Sequence, residues 1–263
     1  MGNVKAAGTG PIVTGIIPAR YGSTRLPGKA LKPILGKPMI QRVYERCRKA
    51  RALDVVCVAT DDERIQRAVE RFGGRAVMTS PDHASGTDRL AEAVKLLPAD
   101  IVVNIQGDQP FIDPIMIDEA VQPLLEDASL EVATLMHPIT EAKDLEDTGV
   151  VKTVVDRAGF ALYFSRSLIP YPEKQAPHKV YEHVGLYVYR RDFLLKIAQL
   201  EPATLEQVES LEQLRWLEHG YRIRVVETAC SDNAFSGFSV DTQEDIERAE
   251  AMLRQRGIER LRD

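Results

Sequence analysis

The 263-residue sequence predicts an α/β protein built on a Rossmann-like, doubly wound and mostly parallel sheet, with a small β-rich insertion. Two observations predict it. Short apolar runs alternate with amphipathic stretches through the first half of the chain, the order a βαβ repeat requires. Those runs are apolar almost throughout, as in IVVNI at 101–105. That pattern suits strands covered by helices on both faces better than strands with one wet face.

Taken in order, the predicted strands of the first half are Ile12–Pro18, Val55–Thr60, Arg75–Met78 and Ile101–Gln106. Between and after them the spacing predicts helices over Pro38–Ala50, Asp62–Phe72, Gly86–Leu97 and Pro114–Leu125. The helix at 62–72 illustrates the signal: Ile65, Ala68, Val69 and Phe72 fall on one face at a 3.6-residue period. The middle changes character. VVKTVVDRAGFALYFS reads as two strands joined by a turn at Arg157–Gly159, and HVGLYVYR as a further strand. The proline- and lysine-rich SLIPYPEKQAPHK between them reads as a mobile loop. A helix over Leu205–His219, a strand over Ile223–Glu227 and a helix over Thr242–Arg256 complete the chain. Residues 1–10 read as a flexible tail and 11–263 as one α/β domain, with the β-rich insertion at about 130–190.

Composition narrows the function. With 44% hydrophobic and 28% charged residues the chain is a globular protein, and a net charge of -5 argues against nucleic-acid or membrane-surface binding. Cys47, Cys57 and Cys230 form no CxxC pair, so a disulfide framework or zinc knuckle is not indicated. Reduced thiols in a cytoplasmic protein are expected. No apolar run approaches the roughly 18 residues that would span a bilayer. Any anionic ligand must therefore be met by local positive charge.

Ligands of doubly wound sheets sit beyond the carboxyl ends of the strands, so the loop after the first strand is the first candidate. It reads PARYGSTRLPGK at 18–29. Gly22 and Gly28 permit close backbone approach, Ser23 and Thr24 supply hydroxyls, and Arg20, Arg25 and Lys29 supply charge. Neither GxxxxGK[ST] nor GxGxxG occurs here, so the loop is neither a P-loop nor a dinucleotide fingerprint. It is a phosphate cradle or a basic surface turn. Asp108, in QGDQP at a strand's carboxyl end, is a turn cap or a Mg²⁺ ligand. Asp241 is a helix N-cap, with Glu244 reaching back in a capping box, or a second ligand to the same ion. Ser85 of Ser85-Gly86-Thr87 reads as an N-cap with Asp88 three residues on. Arg166, at a strand end, pairs with a carboxylate or is a solvated cation. His183 and Tyr187 are binding groups or satisfied core residues. Glu212 and Gln213 are binding groups or solvated positions of a helix whose core face is Leu211, Leu214 and Leu217.

The segments PARYGSTRLPGK, GKPMI, DHASGTDRLAE, VVNIQGDQP, FALYFSRSLIP, HVGLYVYR, LEQLRWL and SVDTQEDIERA together resemble the sugar-acid cytidylyltransferases, in particular the 3-deoxy-manno-octulosonate (Kdo) branch. The resemblance covers nearly all the chain after the tail. It implies a fold of the nucleotide-diphospho-sugar transferase type and transfer of CMP from CTP to Kdo for lipopolysaccharide synthesis, in a cytoplasmic homodimer. Mg²⁺ would be held by Asp108 and Asp241. The nucleotide would be bound by Ala19, Arg20, Gly22, Ser23, Thr24, Arg25, Lys29, Ser85, Gly86, Thr87, Gln106 and Gly107, with Arg20, Arg25, Lys29 and Asp108 serving catalysis. The sugar acid would meet Arg166, His183, Tyr187, Glu212 and Gln213. Glu182, Thr148-Gly149, a shorter loop before His183, and Gln243 depart from the family pattern, which loosens the choice of sugar acid and admits an 8-amino analogue. An acylneuraminate cytidylyltransferase is disfavoured by Thr24, where that family carries lysine. A nucleotide-binding module without catalysis is the alternative of a different class.

Overall fold

A computed structural model describes residues 10–23, 25–83, 85–174, 176–230, 235 and 237–257. The expected tail therefore lies, but for Gly10, outside the described residues, as does Thr24. The chain forms two compact units, one from the segments up to Asp118 and from Cys230 onward, the other from Glu119–Ala229. The β-rich segment expected at 130–190 falls within the second.

In the first unit, strands β1 (Val13–Ala19), β4 (Val55–Thr60), β5 (Ala76–Met78) and β6 (Ile101–Asn104) lie in the order β6-β1-β4-β5. All three pairings are parallel, with Ile16 beside Cys57 on one side and Asn104 on the other. Every residue of β6 is buried, as are five of the six in β4, which the apolar runs required. Helices α1 (Met39–Cys47), α2 (Glu63–Arg71) and α3 (Gly86–Ala93) link the strands, and Ile65, Ala68 and Val69 of α2 are buried as their spacing predicts. A short hairpin of β2 (Pro33–Ile34) and β3 (Lys37–Pro38) precedes α1. Its turn holds Leu35 and Gly36 at φ 45° and 76°. Helix α9 (Gln243–Gln255) returns to this unit, burying Ile246, Ala249 and Leu253 with Leu26, Ile34, Met39, Phe111 and Val240. Cys47 and Cys57 are buried. Burial pushes the Cys57 thiol up to about 11, so both are packing groups.

Helix α4 (Pro114–Glu126) leads into the second unit. There β7 (Val132–Pro138) lies between β11 (Arg224–Glu227), which is parallel to it, and β10 (Tyr181–Arg190), which is antiparallel. Strands β8 (Lys152–Val155) and β9 (Ala161–Ser165) form the expected hairpin. The helices are α5 (Ala142–Glu146), α6 (Arg191–Ile197), α7 (Thr204–Glu209) and α8 (Gln213–Glu218). The single helix expected over 205–219 is thus two, because Ser210 adopts a left-handed conformation at φ 53° that ends α7. No helix among the described residues is long and apolar enough to cross a membrane.

Candidate active site

The charged loop after β1 is folded by its own small residues. The Tyr21 carbonyl accepts from the N–H groups of Ser23 (2.9 Å) and Gly28 (3.0 Å), and Ser23 Oγ accepts from Leu26 N–H at 3.3 Å. Leu26 is buried and anchors the turn. Gly28 stands at φ 68°, where a side chain would also meet the Tyr21 ring at 3.1 Å. This left-handed residue starts a 3-10 turn, Lys29–Leu31, and delivers Lys29 to the end of the sheet.

Lys29 is where distant parts of the chain meet. Its Nζ donates to Asp108 Oδ2 at 2.8 Å and to Asp241 Oδ1 at 3.0 Å, and an Arg25 guanidinium nitrogen lies 3.0 Å from the same Asp241 oxygen. Backbone holds the two aspartates in register, since Val240 N–H donates to the Asp108 carbonyl at 2.9 Å. Burial acts to depress the Lys29 ammonium, yet Asp108 and then Asp241 more than offset it and hold its pKa above the ordinary value. It stays a cation through the neutral range.

The sequence offered Asp241 a competing task, and the structure corrects that expectation. The N-cap of α9 is Thr242, whose hydroxyl accepts from Asp245 N–H while Asp245 accepts in return, so the capping box lies one residue later than expected. Asp241 contributes only its backbone N–H, which donates to Asp245 Oδ2 at 3.0 Å. Its carboxylate faces Lys29 and Arg25 instead. At α3 the expected box does form, between Ser85 and Asp88.

A cavity of about 330 Å³ opens over this cluster. Its wall includes Ala19, Arg20, Ser23, Arg25, Lys29, Ser85, Gly86, Gln106, Gly107, Asp108 and Asp241. Of the remaining expected nucleotide residues, Gly22 is exposed and Thr87 is buried, and neither belongs to the wall. Gly107 is required by proximity: a Cβ there would stand 2.8 Å from the Pro18 carbonyl, where β1 ends. The wall also includes His83 and Arg89, which sequence reasoning did not single out. Arg89 is 4% exposed and is fixed by Thr79 Oγ1 at 2.5 Å and Asp61 Oδ2 at 2.8 Å. Its signal was available: it sits one helical turn after the Ser85 cap, on the same face.

The chemistry of the donor set defines what metal could bind. No group of three or more His, Cys, Asp or Glu side chains suited to a metal occurs among the described residues. Two converging carboxylates do not make a protein-only cage. They fit Mg²⁺, which takes one or two carboxylates and completes its octahedron with phosphate oxygens and water.

The expected sugar-acid residues all belong to the second unit. Arg166 is heavily committed: its guanidinium donates to the carbonyls of Glu209 (2.7 Å), Thr148 (2.9 Å) and Ser210 (3.4 Å). His183 Nε2 lies 3.0 Å from Thr134 Oγ1, whose one hydrogen is directed to the Val184 or Leu186 carbonyl. When that hydrogen goes to a carbonyl, Nε2 is the nitrogen that donates to Thr134 Oγ1 and Nδ1 keeps a lone pair. Burial pushes this imidazole down to about 3, so it is neutral. Tyr187 packs against His183 (5.3 Å between ring centres) and edge-on against Trp216 (5.1 Å). Its buried phenol oxygen has no hydrogen-bond partner among the described residues. Glu212 precedes α8, and Gln213 is buried rather than solvated. Leu211 and Leu214 are buried as expected, joined by Trp216.

The sequence pattern of the family described as Cytidylyltransferase matches residues 14–223. The chain is 54% identical to the 3-deoxy-manno-octulosonate cytidylyltransferase of Geobacter metallireducens, over 90% of this chain and 95% of the relative. It is likewise 54% identical to that of Geotalea daltonii, over 93% and 99%. Among solved structures it resembles a CMP:2-keto-3-deoxy-manno-octonic acid synthetase complexed with CTP, with a TM-score of 0.88 and 47% identity over 93% of this chain and 99% of the other. A cytidylyltransferase from Leptospira borgpetersenii, at 18% identity and a TM-score of 0.62, shares the fold.

Proposed function

We propose the following reaction for this chain, which belongs to the cytidylyltransferase family and, within it, to the 3-deoxy-manno-octulosonate cytidylyltransferases. It transfers CMP from CTP to Kdo, giving CMP-Kdo and pyrophosphate. A hydroxyl oxygen of the sugar acid attacks the α-phosphorus, and a new P–O bond forms as the bond to the β-phosphate bridge breaks. The hydroxyl proton is lost to solvent, and the electron pair leaves on pyrophosphate.

One observation carries the reading. Lys29 joins Asp108 and Asp241 within a cavity that Arg20 and Arg25 also line, at the carboxyl ends of β1 and β6. In-line phosphoryl transfer needs little covalent help from a protein. It needs fixed positive charge around the phosphate oxygens, which this loop supplies in a net acidic molecule. Mg²⁺ held by Asp108 and Asp241 would add charge neutralisation on the same oxygens, and the two-carboxylate donor set supports it. Lys29 would then turn from the aspartates toward the triphosphate. The neutral imidazole of His183 and the phenol of Tyr187 are the groups best suited to sugar hydroxyls. Arg166 retains two N–H bonds beyond its three carbonyl contacts for the sugar carboxylate.

Pyrophosphate release measured with CTP, Mg²⁺ and Kdo is expected to show turnover that a chelator removes. Inactivity with Kdo and 8-amino-Kdo, alongside turnover of another sugar acid, would overturn the substrate assignment. A cytoplasmic role in lipopolysaccharide synthesis and a homodimer complete the proposal. The dimer is supported by apolar side chains left exposed in the second unit, namely Leu162 (61%) and Val208 (77%). Val208→Glu should shift the protein to monomer mass in light scattering.

A further inference from the structure

We propose that His83 reads the nucleoside of the bound nucleotide, with Nδ1 as a hydrogen-bond acceptor whose tautomer Glu92 fixes. The inference rests on the CTP reading above and deepens it. His83 lies on the cavity wall, in the loop between β5 and α3. Its Nε2 bonds to Glu92 Oε2, and that same oxygen accepts from Ser80 N–H at 2.9 Å. The carboxylate, at the penultimate position of α3, is thereby tied to backbone.

The protonation logic follows from the partners. The Ser80 N–H, and then His83, hold the Glu92 carboxyl below its usual pKa, so it is ionised. An ionised carboxylate only accepts, which requires the hydrogen on Nε2. Whenever the ring is neutral it carries that one N–H, so the remaining Nδ1 is a lone pair. The cations lining this cavity are all donors: Arg20, Arg25 and Lys29, matched to phosphate, and Arg89, already bonded to Thr79 and Asp61. A lone pair would repel phosphate. It suits a ligand group that donates, and the nucleoside of CTP has two kinds, the 4-amino group of cytosine and the ribose hydroxyls. Ser85, a hydroxyl on the same wall two residues along the chain, already accepts from Asp88 N–H at 3.1 Å as a helix cap. With the 4-amino group as donor, the fixed tautomer would select cytosine over uracil, whose O4 presents a second lone pair.

The test compares kcat/KM for CTP, UTP, 2′-deoxy-CTP and 3′-deoxy-CTP in wild type, His83→Ala and Glu92→Gln. His83→Ala should lower kcat/KM for CTP by about 10-fold, the loss of one hydrogen bond. If the base donates, UTP is unaffected and the CTP/UTP ratio collapses. If the ribose donates, the matching deoxynucleotide is unaffected instead. Glu92→Gln places an amide that can donate to Nε2 and frees the other tautomer, so the same ratio should fall. A uniform fall across all four nucleotides in both variants would overturn the proposal, since a merely structural role predicts that outcome. Nitrogen-15 NMR of the wild-type histidines provides a readout independent of folding in the variants. His83 should show an unprotonated Nδ1 that shifts on CTP binding, and a protonated Nδ1 in the neutral ring would overturn the assignment. Failure of the wild type to release pyrophosphate from CTP would instead count against the cytidylyl-transfer reading.

Discussion

Two charged clusters, one in each unit, use their polar side chains in opposite ways. In the first, Arg25, Lys29, Asp108 and Asp241 converge side chain to side chain at the rim of a cavity, and backbone is used only to hold them in place. In the second, Arg166 and Lys152 turn onto main-chain carbonyls. Lys152 is fully buried and donates to the carbonyls of Asp147 (2.6 Å), Val150 (2.8 Å) and Arg166 (3.0 Å). A charge held by other charges on a solvent-facing rim can exchange partners when an anion arrives. A charge holding several main-chain carbonyls cannot leave without giving up all of those bonds at once. The first arrangement is built to exchange partners with a ligand; the second fixes its cations in place, and leaves Arg166 only two N–H bonds to offer one.

The largest test of that contrast is Asp108→Asn. Loss of one oriented charge at a phosphoryl-transfer site should lower kcat by about 10²–10³-fold. Partly exposed ion pairs contribute little to stability, so the Tm should move by no more than about 2 °C; a large Tm drop would make Asp108 structural. Arg166→Met should do the reverse. Three partly exposed carbonyls lose a donor, each worth about 1 kcal/mol, so calorimetry should show a Tm lowered by about 6–12 °C with nucleotide KM unchanged. A Tm within 1 °C of wild type would erase the difference between the units. Thr242→Ala tests the link between cap and chemistry. Losing the cap should cost about 1 kcal/mol and lower kcat/KM severalfold through a misplaced Asp241, without altering nucleotide choice. The smallest effect concerns pH. His183 has a folded pKa of about 3, below the unfolded value of about 6.5. The unfolded chain therefore takes up a proton first as pH falls. Stability from this group is complete above about pH 6.5 and declines below it, by up to about 1.4 kcal/mol per unit. His183→Gln should flatten that slope in Tm measured between pH 7.5 and 5.5.

Much of this was legible in the residues. Strands β1, β4 and β6 lie within two residues of their predicted bounds, because fully buried strands must be continuously apolar. The loop at 18–29 was readable because its charges and glycines are contiguous. Other elements were not. Strand β7 carries the apolar VATLMHP, yet only a β-rich region was anticipated there. Helix α6 was also unforeseen. The break at Ser210 lacks the glycine that usually marks a left-handed residue. Periodicity could not pair Asp108 with Asp241, since the backbone bond that aligns them joins segments far apart in sequence. It also misassigned the cap of α9, because Asp241 and Thr242 are both good caps and only packing selects one. His83 was passed over because a single histidine carries no pattern of its own, whereas Arg89 could be found only from its spacing to the Ser85 cap.

Two glycines flank the phosphate grip, and their freedom to vary differs. Among the described residues nothing lies within 4 Å of where a Gly22 side chain would go, whereas Gly107 has the main chain of β1 in the way. A methyl group at 22 would find open room, so that position can drift although it sits in the most recognisable stretch of the sequence. One at 107 would wedge apart the two strand ends that set the distance from Lys29 to Asp108, so the tolerance of the whole grip is set by a residue with no side chain.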